Sequence, residues 1–315
     1  MRVVDRWLVF VAGVSKIMAI IARSIAGVFH FMKRLAQWKN NNPIECHELK
    51  ISTWNVNSLR VRLPQVVDWI ALERPNLLAL QETKLPDSAF PDAELVALGY
   101  HSIHSGQPTY NGVALLSLAP PTEVQIGIPG WDDPQRRLLA ASYAAPNLPH
   151  GKLRIVNLYA PNGQAVGGDK YAYKLDWFVR LNAWLKEELT IYPNIAVMGD
   201  YNIAPEDRDV HDPVAWKGNI AVSAQERSAF YDLLALGFTD AFRLFTQKAH
   251  SFSWWDYRFR AFHRNRGLRI DHILLSHPLT AYCASCHIDK GPRHLSRPSD
   301  HTPVVAELFC PNTAI

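Results

Sequence analysis

The stretch IAVMGDYN, from Ile195 to Asn202, joins a short apolar run to an acid and an amide. An unbroken apolar run from Ile195 to Met198 is typical of a strand that is buried on both faces, because successive side chains of a strand point to opposite sides. Asp200 and Asn202 follow directly after this run. The stretch therefore predicts a core strand with polar side chains just past its end.

Seven further apolar runs and three segments of helical periodicity lie on either side of this stretch. The runs are Leu49 to Trp54, Leu77 to Gln81, Gly112 to Leu116, Leu138 to Tyr143, Leu153 to Tyr159, Arg269 to Leu275 and Val304 to Leu308. The helical segments are Leu63 to Glu73, Lys170 to Leu189 and Ser228 to Leu236. Eight strands are more than one small sheet holds. We predict an α/β (α+β) fold, a four-layer sandwich of two packed mixed β-sheets flanked by helices.

Polar side chains follow several of these strands and share one chemical character. They are Asn55, Asn57, Glu82, Asp200, Asn202, Asp271, Asp300 and His301. Each alone is as well explained by a turn, where Asn and Asp are common. Together, however, carboxylates and carboxamides are the oxygen ligands that hard divalent cations such as Mg²⁺ prefer. The set therefore predicts a metal site.

Three members of this set have the chemistry that hydrolysis of an anionic phosphodiester requires. The reaction needs a cation on the non-bridging oxygens, a base for water and a group that stabilises the leaving oxygen. Glu82, Asp200 and His301 are the sensible choices. Adjacent side chains on an extended segment point to opposite faces. We therefore expect Asp271, rather than the neighbouring Asp300, to contact His301.

A basic and aromatic tract lies between Arg243 and His272. Seven Lys or Arg residues face only two acids there, with Phe, Trp and Tyr side chains interleaved. This mixture is usual at nucleic-acid interfaces, although the rings also suit a core and the arginines a solvated rim. We predict Arg258 and Arg266 as phosphate contacts, with Lys174 as a weaker candidate. The net charge of +4 fits a polyanionic partner without requiring one.

Residues 1–48 differ in composition from the rest of the chain. No acid lies between Asp5 and Glu45, while basic residues recur in an otherwise apolar stretch. These charges argue against a bilayer-spanning helix. An interfacial helix that contacts a membrane through residues 1–35, an organelle-targeting peptide and a misassigned start remain open. We predict an extension and linker over 1–48 and one domain over 49–310.

The chain has four cysteines, too few for a disulfide framework at this length. Cys283 and Cys286, followed by His287, form only half of a zinc-type spacing, so ordinary thiols at a strand edge are the simpler interpretation. The composition favours a reducing compartment. We predict a cytoplasmic location, with an organelle-targeted or membrane-associated location as the alternative.

Eight motifs occur in order along residues 49 to about 309. They are TWNVNSLR, LALQETK, YNGVALLS, VNLYAPNG, GDYNIAPEDRDV, FSWWDYR, NRGLRIDHILLS and PSDHTPVV. In this order they resemble the exonuclease III family of AP endonucleases, of the bacterial type, within the endonuclease/exonuclease/phosphatase superfamily. The GDxN and SDH elements alone are shared across the superfamily. The FSWWDYR and NRGLRID tract is similar to abasic-site enzymes in particular.

The resemblance implies a role for each matching position. Glu82 matches the principal metal ligand and Asn55 the residue that supports it, while Asn57 matches a position close to metal or substrate. Asp200 matches the general base toward water, and Asn202 the residue that orients this water. The candidate metal ligands are Asn55, Glu82, Asp200, Asn202, Asp300 and His301.

The remaining matches concern the phosphate and its sugar. Tyr159 matches a tyrosine whose phenol touches the scissile phosphate. His301 matches the catalytic histidine, Asp271 its supporting carboxylate and Asp300 a ligand of a second metal. Two further matches form an apolar pocket for an extrahelical sugar without a base, Trp254 and Leu268. Leu268 replaces a Trp of animal members, which leaves the balance between endonuclease and exonuclease work open.

The family resemblance implies a Mg²⁺-dependent enzyme, with Mn²⁺ as a substitute, whose catalytic domain spans 49–310. Its activities are those of an AP endonuclease, a 3′-phosphodiesterase, a 3′-phosphatase and a 3′-to-5′ exonuclease. Its partner is duplex DNA with abasic sites or blocked 3′ ends, at the nucleoid. We expect a monomer without an obligate protein partner. The alternatives are a superfamily phosphatase for an inositol phosphate or phospholipid, and a DNA-binding module that has lost the chemistry.

Overall fold

Two six-stranded β-sheets pack face to face in residues 48–309, the part of the chain that this computed structural model describes. In chain order the strands are β1 (Leu49–Asn55), β2 (Leu77–Gln81), β3 (His101–Ser105), β4 (Val113–Ser117), β5 (Thr122–Ile126), β6 (Leu138–Ala144), β7 (Lys152–Tyr159), β8 (Ile195–Asp200), β9 (Phe238–Asp240), β10 (Asp271–Ser276), β11 (Cys283–Ile288) and β12 (Val304–Leu308). The first sheet has the order β11-β12-β1-β2-β4-β3 and the second β5-β6-β7-β8-β10-β9. Both sheets are mixed, since β1 and β2 are parallel, as are β7 and β8.

Helices cover the outer faces of both sheets. The helices of the described residues are α1 (Leu59–Glu73), α2 (Asp92–Ala97), α3 (Asp169–Ile191), α4 (Pro213–Trp216), α5 (Ala224–Ala235) and α6 (His277–Thr280), and the four-residue α6 packs Leu279 into the core between the sheets. Helix α1 packs Trp69 and Ile70 on the first sheet, and α3 packs Trp177 and Phe178 on the second. The order of layers is helix, sheet, sheet, helix. The predicted four-layer sandwich is confirmed.

Alternation along the strands fills both faces of each sheet. In β2, Leu77 and Ala79 face the other sheet, whereas Leu78 and Leu80 face the helical layer of α1. Strand β8 repeats the pattern against α3. Because both faces of an inner strand are covered, its sequence is an unbroken apolar run, which is the pattern that the eight predicted strands share.

The strands that the sequence did not predict are the four sheet edges, β3, β5, β9 and β11. All eight predicted strands are present with small shifts at their ends. An edge strand has a neighbour on one side only and carries more polar side chains. Strand β5, for example, is exposed along most of its length. Helices α1 and α5 begin earlier than predicted, at Leu59 and Ala224.

Strand register brings distant polar residues to one edge of the sandwich. Tyr159 pairs with Asp200 across β7 and β8, and Asp200 pairs with Asp271 across β8 and β10. In the first sheet Asn55 pairs with Gln81 where β1 and β2 end. Parallel strands finish at the same edge, and an antiparallel neighbour begins there. The second sheet and the first therefore present their polar ends side by side.

A buried amide links the two sheets directly beneath this edge. Asn157 of β7 donates from Nδ2 to the carbonyl oxygens of Leu80, at 2.9 Å, and Ala114, at 2.8 Å. Gln81 donates from Nε2 to Asn157 Oδ1 at 2.7 Å. A buried polar group is stable only when its hydrogen bonds are made. These bonds therefore fix the separation of the sheets where the polar edge needs it.

The predicted extension over residues 1–48 lies outside the described residues, apart from Glu48, so the boundary at 48 stays a prediction. Within the described part, every helix is too short or too polar to cross a bilayer. Cys283 and Cys286 are free thiols.

Candidate active site

Three side chains at the shared edge offer ligand atoms to a single point. Glu82, Asp200 and His301 each place one carboxylate oxygen or ring nitrogen within 4.8 Å of the others. Glu82 follows β2, Asp200 ends β8 and His301 precedes β12. Two carboxylates this close repel each other unless a cation lies between or beside them. The donor set therefore fits a hard divalent cation.

Asn55 ties the two carboxylates together. Its Nδ2 donates to Glu82 Oε1 at 2.8 Å and to Asp200 Oδ2 at 2.9 Å. Its Oδ1 accepts a hydrogen bond from the backbone nitrogen of Asn57 at 3.0 Å. The side-chain nitrogen of Asn55 thus donates to both carboxylates, while its side-chain oxygen is bonded to the backbone of Asn57. In this arrangement it orients the carboxylates, whereas the sequence predicted a ligand oxygen.

Asp200 is buried among other charges. Burial raises the pKa of Asp200 to about 7, with His301 opposing the rise and Asp271 adding to it. The group therefore changes protonation near neutral pH, which suits a general base. Asn202 donates from its backbone nitrogen to Asp200 Oδ1 at 2.8 Å, which fixes the orientation of the carboxylate.

His301 lies between two carboxylates. Its Nδ1 is 2.9 Å from Asp271 Oδ2, and its Nε2 is 3.7 Å from Asp200 Oδ2. The expected contact with Asp271 is present. Burial opposes a charge on the ring, but Asp271 and Asp200 raise the pKa of His301 to about 10. The histidine is therefore a cation at neutral pH, and its Nδ1 donates to Asp271.

Tyr159 ends β7 beside this cluster. Burial, together with Glu82, raises the pKa of Tyr159 well above its usual range. The guanidinium of Arg137 lies over the ring, 4.7 Å from its centroid, and donates to the Tyr159 carbonyl oxygen at 3.2 Å. The phenol keeps its proton and is held in place from one face.

Asn202 is held by hydrogen bonds on both ends of its amide. Its Nδ2 donates to the Ala160 carbonyl at 3.0 Å, and its Oδ1 accepts from Asn162 Nδ2 at 3.2 Å. Its φ of +51° is in the left-handed region. Since the amide oxygen is already bonded, this geometry favours an orienting role over the predicted ligand role.

Asp300 lies outside the compact ligand group. Its Oδ1 accepts from Asn57 Nδ2 at 2.9 Å and its Oδ2 from Trp254 Nε1 at 3.0 Å. Lys84 donates to Asn57 Oδ1 at 2.6 Å and pairs with a Glu82 oxygen at 2.8 Å. Asp300 and Asn57 therefore form a second polar group that Lys84 connects to Glu82.

Residues 52–301 match the Endonuclease/Exonuclease/phosphatase family. The chain belongs to this family. An exodeoxyribonuclease III from Haemophilus influenzae is 35% identical over 269 residues, which cover 82% of this chain and 100% of that protein. The predicted resemblance is confirmed.

Solved structures of the family share the fold. The 3′ phosphatase NExo from Neisseria, bound to a product DNA hairpin, aligns with a TM-score of 0.79 at 44% identity, covering 82% of this chain and 99% of that one. An AP endonuclease from Archaeoglobus fulgidus aligns with a TM-score of 0.77 at 37% identity, covering 82% and 98%. These structures support the same sandwich architecture.

The two residues predicted to form the apolar pocket, Trp254 and Leu268, are adjacent in the structure. Trp254 and Leu268 form a backbone bridge, with each nitrogen 3.0 Å from the other's carbonyl oxygen. Both belong to an apolar cluster with Val210 and Ile270. Trp254 is half-buried and Leu268 is buried. Trp254 also bridges to His301, so the apolar cluster borders the group of possible metal ligands.

The predicted phosphate contacts differ in their access to solvent. Arg258 and Arg266 are exposed, and Arg258 pairs with Asp256 at 2.5 Å. Lys174 is fully buried and pairs with Glu226, so it is not available to a DNA phosphate. The prediction of Lys174 as a phosphate contact is wrong, because helix α3 turns this side chain inward to Glu226 and away from water.

Three residues near the site were missed by sequence reasoning: Lys84, Arg137 and Asn162. Lys84 is in the LALQETK motif, two positions after Glu82, and Asn162 is in the VNLYAPNG motif, three positions after Tyr159. Arg137 follows another arginine in a segment with no motif. The first two had a signal in the sequence, whereas the third is found only through its contact with Tyr159.

Proposed function

We propose that the chain is a divalent-metal-dependent phosphodiesterase of DNA repair. Its activities are those of an AP endonuclease, a 3′-phosphodiesterase and 3′-phosphatase, and a 3′-to-5′ exonuclease. The observation that carries the proposal is the convergence of Glu82, Asp200 and His301 within 4.8 Å, beside the apolar cluster of Trp254 and Leu268. A metal-type donor set next to an apolar pocket suits a phosphate that is attached to a sugar without a base.

The relatives support this assignment. They include an exodeoxyribonuclease III, an AP endonuclease and a 3′ phosphatase with bound DNA. The prediction of a DNA-repair nuclease is confirmed at the level of the family. Which substrate this chain cleaves best is part of the proposal.

Mg²⁺ is the cation that we propose, with Mn²⁺ as a substitute, because the donor set is rich in carboxylate oxygen. Glu82 and Asp200 would hold it, with His301 at the border of the site. A bound divalent cation supplies positive charge to a non-bridging phosphate oxygen. Asn55 orients both carboxylates.

The protein groups divide the proton chemistry among them. Asp200 takes a proton from the attacking water, and Asn202, whose backbone nitrogen fixes the Asp200 carboxylate, orients this water. His301 is charged and donates to a phosphate oxygen, while Asp271 holds its ring. Tyr159, which keeps its proton, donates to the same phosphate group.

DNA binding is assigned to the exposed cations and the apolar pocket. Arg258 and Arg266 contact backbone phosphates, which supplies affinity that falls steeply with salt. Trp254 and Leu268 receive the extrahelical sugar, and Asn57 contacts the substrate from the first sheet. We further propose that the protein is a monomer and that it acts at the nucleoid. Sedimentation tests the oligomeric state, and cell fractionation tests the location.

An activity panel tests the function. Duplexes with an abasic site, a 3′-phosphate or a blunt 3′ end are incubated with Mg²⁺ or with EDTA, next to a phosphoinositide as the competing substrate. We expect cleavage of the DNA substrates with Mg²⁺ only. Turnover of the phosphoinositide without cleavage of DNA would replace the proposal with the phosphatase alternative.

The boundary at residue 48 is tested by truncation. A chain that begins at Leu49 should fold and cleave abasic DNA at about the wild-type rate, because all twelve strands of the described residues lie from this residue onward. The measurement is the melting temperature together with the cleavage rate. Failure to fold would assign residues 1–48 to the domain itself.

A further inference from the structure

A buried ion pair lies directly behind the proposed active site. Lys174 of α3 and Glu226 of α5 are 2.5 Å apart, from Nζ to Oε1, and both side chains are 0% exposed. Such a pair has a desolvation cost that apolar residues of the same size do not have, so stability alone is a weak reason for it. Its contacts indicate another reason.

Lys174 uses each of its three N–H groups. One binds Glu226, the second donates to the carbonyl oxygen of Asn202 at 2.7 Å, and the third donates to the carbonyl oxygen of Asn162 at 3.3 Å. The two carbonyls belong to separate loops, one after β8 and one after β7. The ammonium therefore fastens both loops to helix α3.

Glu226 is equally saturated. Its Oε1 accepts from the Ala221 nitrogen at 3.0 Å in addition to Lys174, and its Oε2 accepts from Ser223 N at 3.1 Å and Ser223 Oγ at 2.6 Å. This is the capping box at the start of α5. Because Glu226 has no freedom to move, it holds the ammonium of Lys174 at one place.

The held loops carry the amide that orients water. Asn202 has a φ of +51°, a region that an L residue adopts at a cost. Its side chain bonds Asn162 Nδ2 at 3.2 Å and Asp200 Oδ2 at 3.3 Å. Lys174 thus binds the backbone carbonyl groups of Asn202 and Asn162, the two residues whose side-chain amides meet next to Asp200.

We propose that Lys174 and Glu226 are positioning residues that hold Asn202 and Asn162 in the geometry of the transition state. The proposal rests on the proposed function, since it assigns Asn202 to the attacking water. Loss of the pair should lower the rate of the bound complex and leave DNA affinity nearly unchanged, because neither side chain reaches the surface.

The chain offers a matched control pair. Arg154 of β7 and Glu188 of α3 are 2.8 Å apart and have side chains only 3% and 10% exposed. Arg154 lies near the start of β7, whereas Tyr159 is its last residue, which at about 3.3 Å per residue places the control pair roughly 16 Å from the site along the strand. It joins the same helix to the same sheet without touching a catalytic loop.

The test compares two double variants in abasic-duplex cleavage with Mg²⁺, at temperatures well below their melting points. Lys174→Met with Glu226→Gln should lower kcat by between about tenfold and a hundredfold, with KM changed less than about twofold. Arg154→Met with Glu188→Gln should lower the melting temperature similarly and leave kcat within about twofold. Equal kcat values for the two variants would overturn the proposal.

A third variant keeps the test valid if Lys174→Met with Glu226→Gln folds poorly. Lys174→Gln with Glu226→Gln keeps an amide donor near the two carbonyls, so its kcat should lie between the Met variant and the wild type, again with KM unchanged. A kcat equal to that of the control pair would overturn the proposal. Lack of cleavage by the wild type is a separate outcome, because it refutes the proposed function.

Discussion

Two clusters of buried charge lie side by side where β10 begins, and they differ in how the charge is balanced. The arginine cluster consists of Asp209, Asp240, Arg243, Arg269 and His272. The carboxylate cluster consists of Glu82, Asp200, Asp271 and His301. Two residues of the same short segment, Arg269 and Asp271, enter different clusters.

The arginine cluster supplies its own counter-charge. Arg269 pairs with Asp209 at 2.7 Å and with Asp240 at 2.8 Å, and Arg243 also pairs with Asp209. Burial alone would raise the pKa of Asp209, but Arg269 and Arg243 hold it below its usual value. A buried carboxylate that is fully paired stays charged, and its hydrogen bonds make the surrounding structure rigid.

The carboxylate cluster lacks that balance. Burial raises the pKa of Asp200 to about 7, and His301 is the cation next to it. Additional counter-charge has to come from outside the cluster, from Lys84 or from a ligand. The same burial therefore gives structural or reactive carboxylates according to the charges that the fold places beside them.

A substitution in the carboxylate cluster should change the cleavage rate more than any other change considered below. Asp200→Asn removes the proposed general base and should lower cleavage of abasic DNA on the order of 10⁴-fold, about 5 kcal/mol in the barrier. The substitution removes a carboxylate that is costly to ionise above pH 7, so in metal-free buffer at pH 8 the free energy of unfolding should stay equal or rise. Cleavage assays and urea titrations measure both. A variant within tenfold of the wild-type rate would exclude Asp200 as the base.

The next effect is on stability. Arg269→Met leaves Asp209 and Asp240 buried without their main partner and should lower the free energy of unfolding by about 4 kcal/mol. The control is Arg180→Met, because Arg180 and Asp176 form an exposed pair on α3 that is worth less than about 1 kcal/mol. Urea denaturation compares the two. Similar losses in both variants would contradict the contrast between buried and exposed pairs.

A third effect is the pH dependence of the arginine cluster. Burial and Arg269 lower the pKa of His272 to about 4, from 6.5. Its Nδ1 accepts from Arg269 and its Nε2 donates to the Ile203 carbonyl at 2.9 Å, so the ring is neutral. The unfolded state binds the extra proton, and stability that is complete above pH 6.5 is lost as the pH falls toward 4, by on the order of 3 kcal/mol at most.

The variant His272→Gln isolates this contribution. The amide can accept from Arg269 and donate to Ile203 but does not titrate. Its unfolding free energy should therefore depend less on pH between 6.5 and 4 than that of the wild type. Parallel pH profiles for the two proteins would assign the acid sensitivity to other groups.

The smallest expected effect belongs to the carboxylate cluster. Mg²⁺ at ten times its dissociation constant should stabilise the native state by about 1.4 kcal/mol, because it binds only the folded arrangement. Glu82→Gln should abolish the increase in melting temperature, whereas Glu94→Gln, an exposed acid on α2, should retain it. An equal increase in melting temperature for both variants would show that Glu82 does not bind the cation.

Sequence patterns predicted the inner part of the fold and the chemical types of the site. The eight predicted strands are the inner strands of both sheets, where coverage on two faces requires unbroken apolar runs. Edge strands such as β5 and β11 were missed because solvent on one side relaxes that requirement. The capping box of Ser223 and Glu226 was readable as S-x-x-E, yet it marks the start of α5 four residues before the predicted helix.

The sequence alone determined which residues have the chemistry for a phosphate and a cation, because side-chain type and position at a strand end are local properties. The neighbours of each charge became known from the folded structure alone. It turned Lys174 inward to Glu226, pointed the donors of Asn55 at Glu82, and gave Asp209 arginine partners that Asp200 lacks. The reason is physical: the energy of a buried charge is set by its neighbours in space, and these come from strands far apart in the chain.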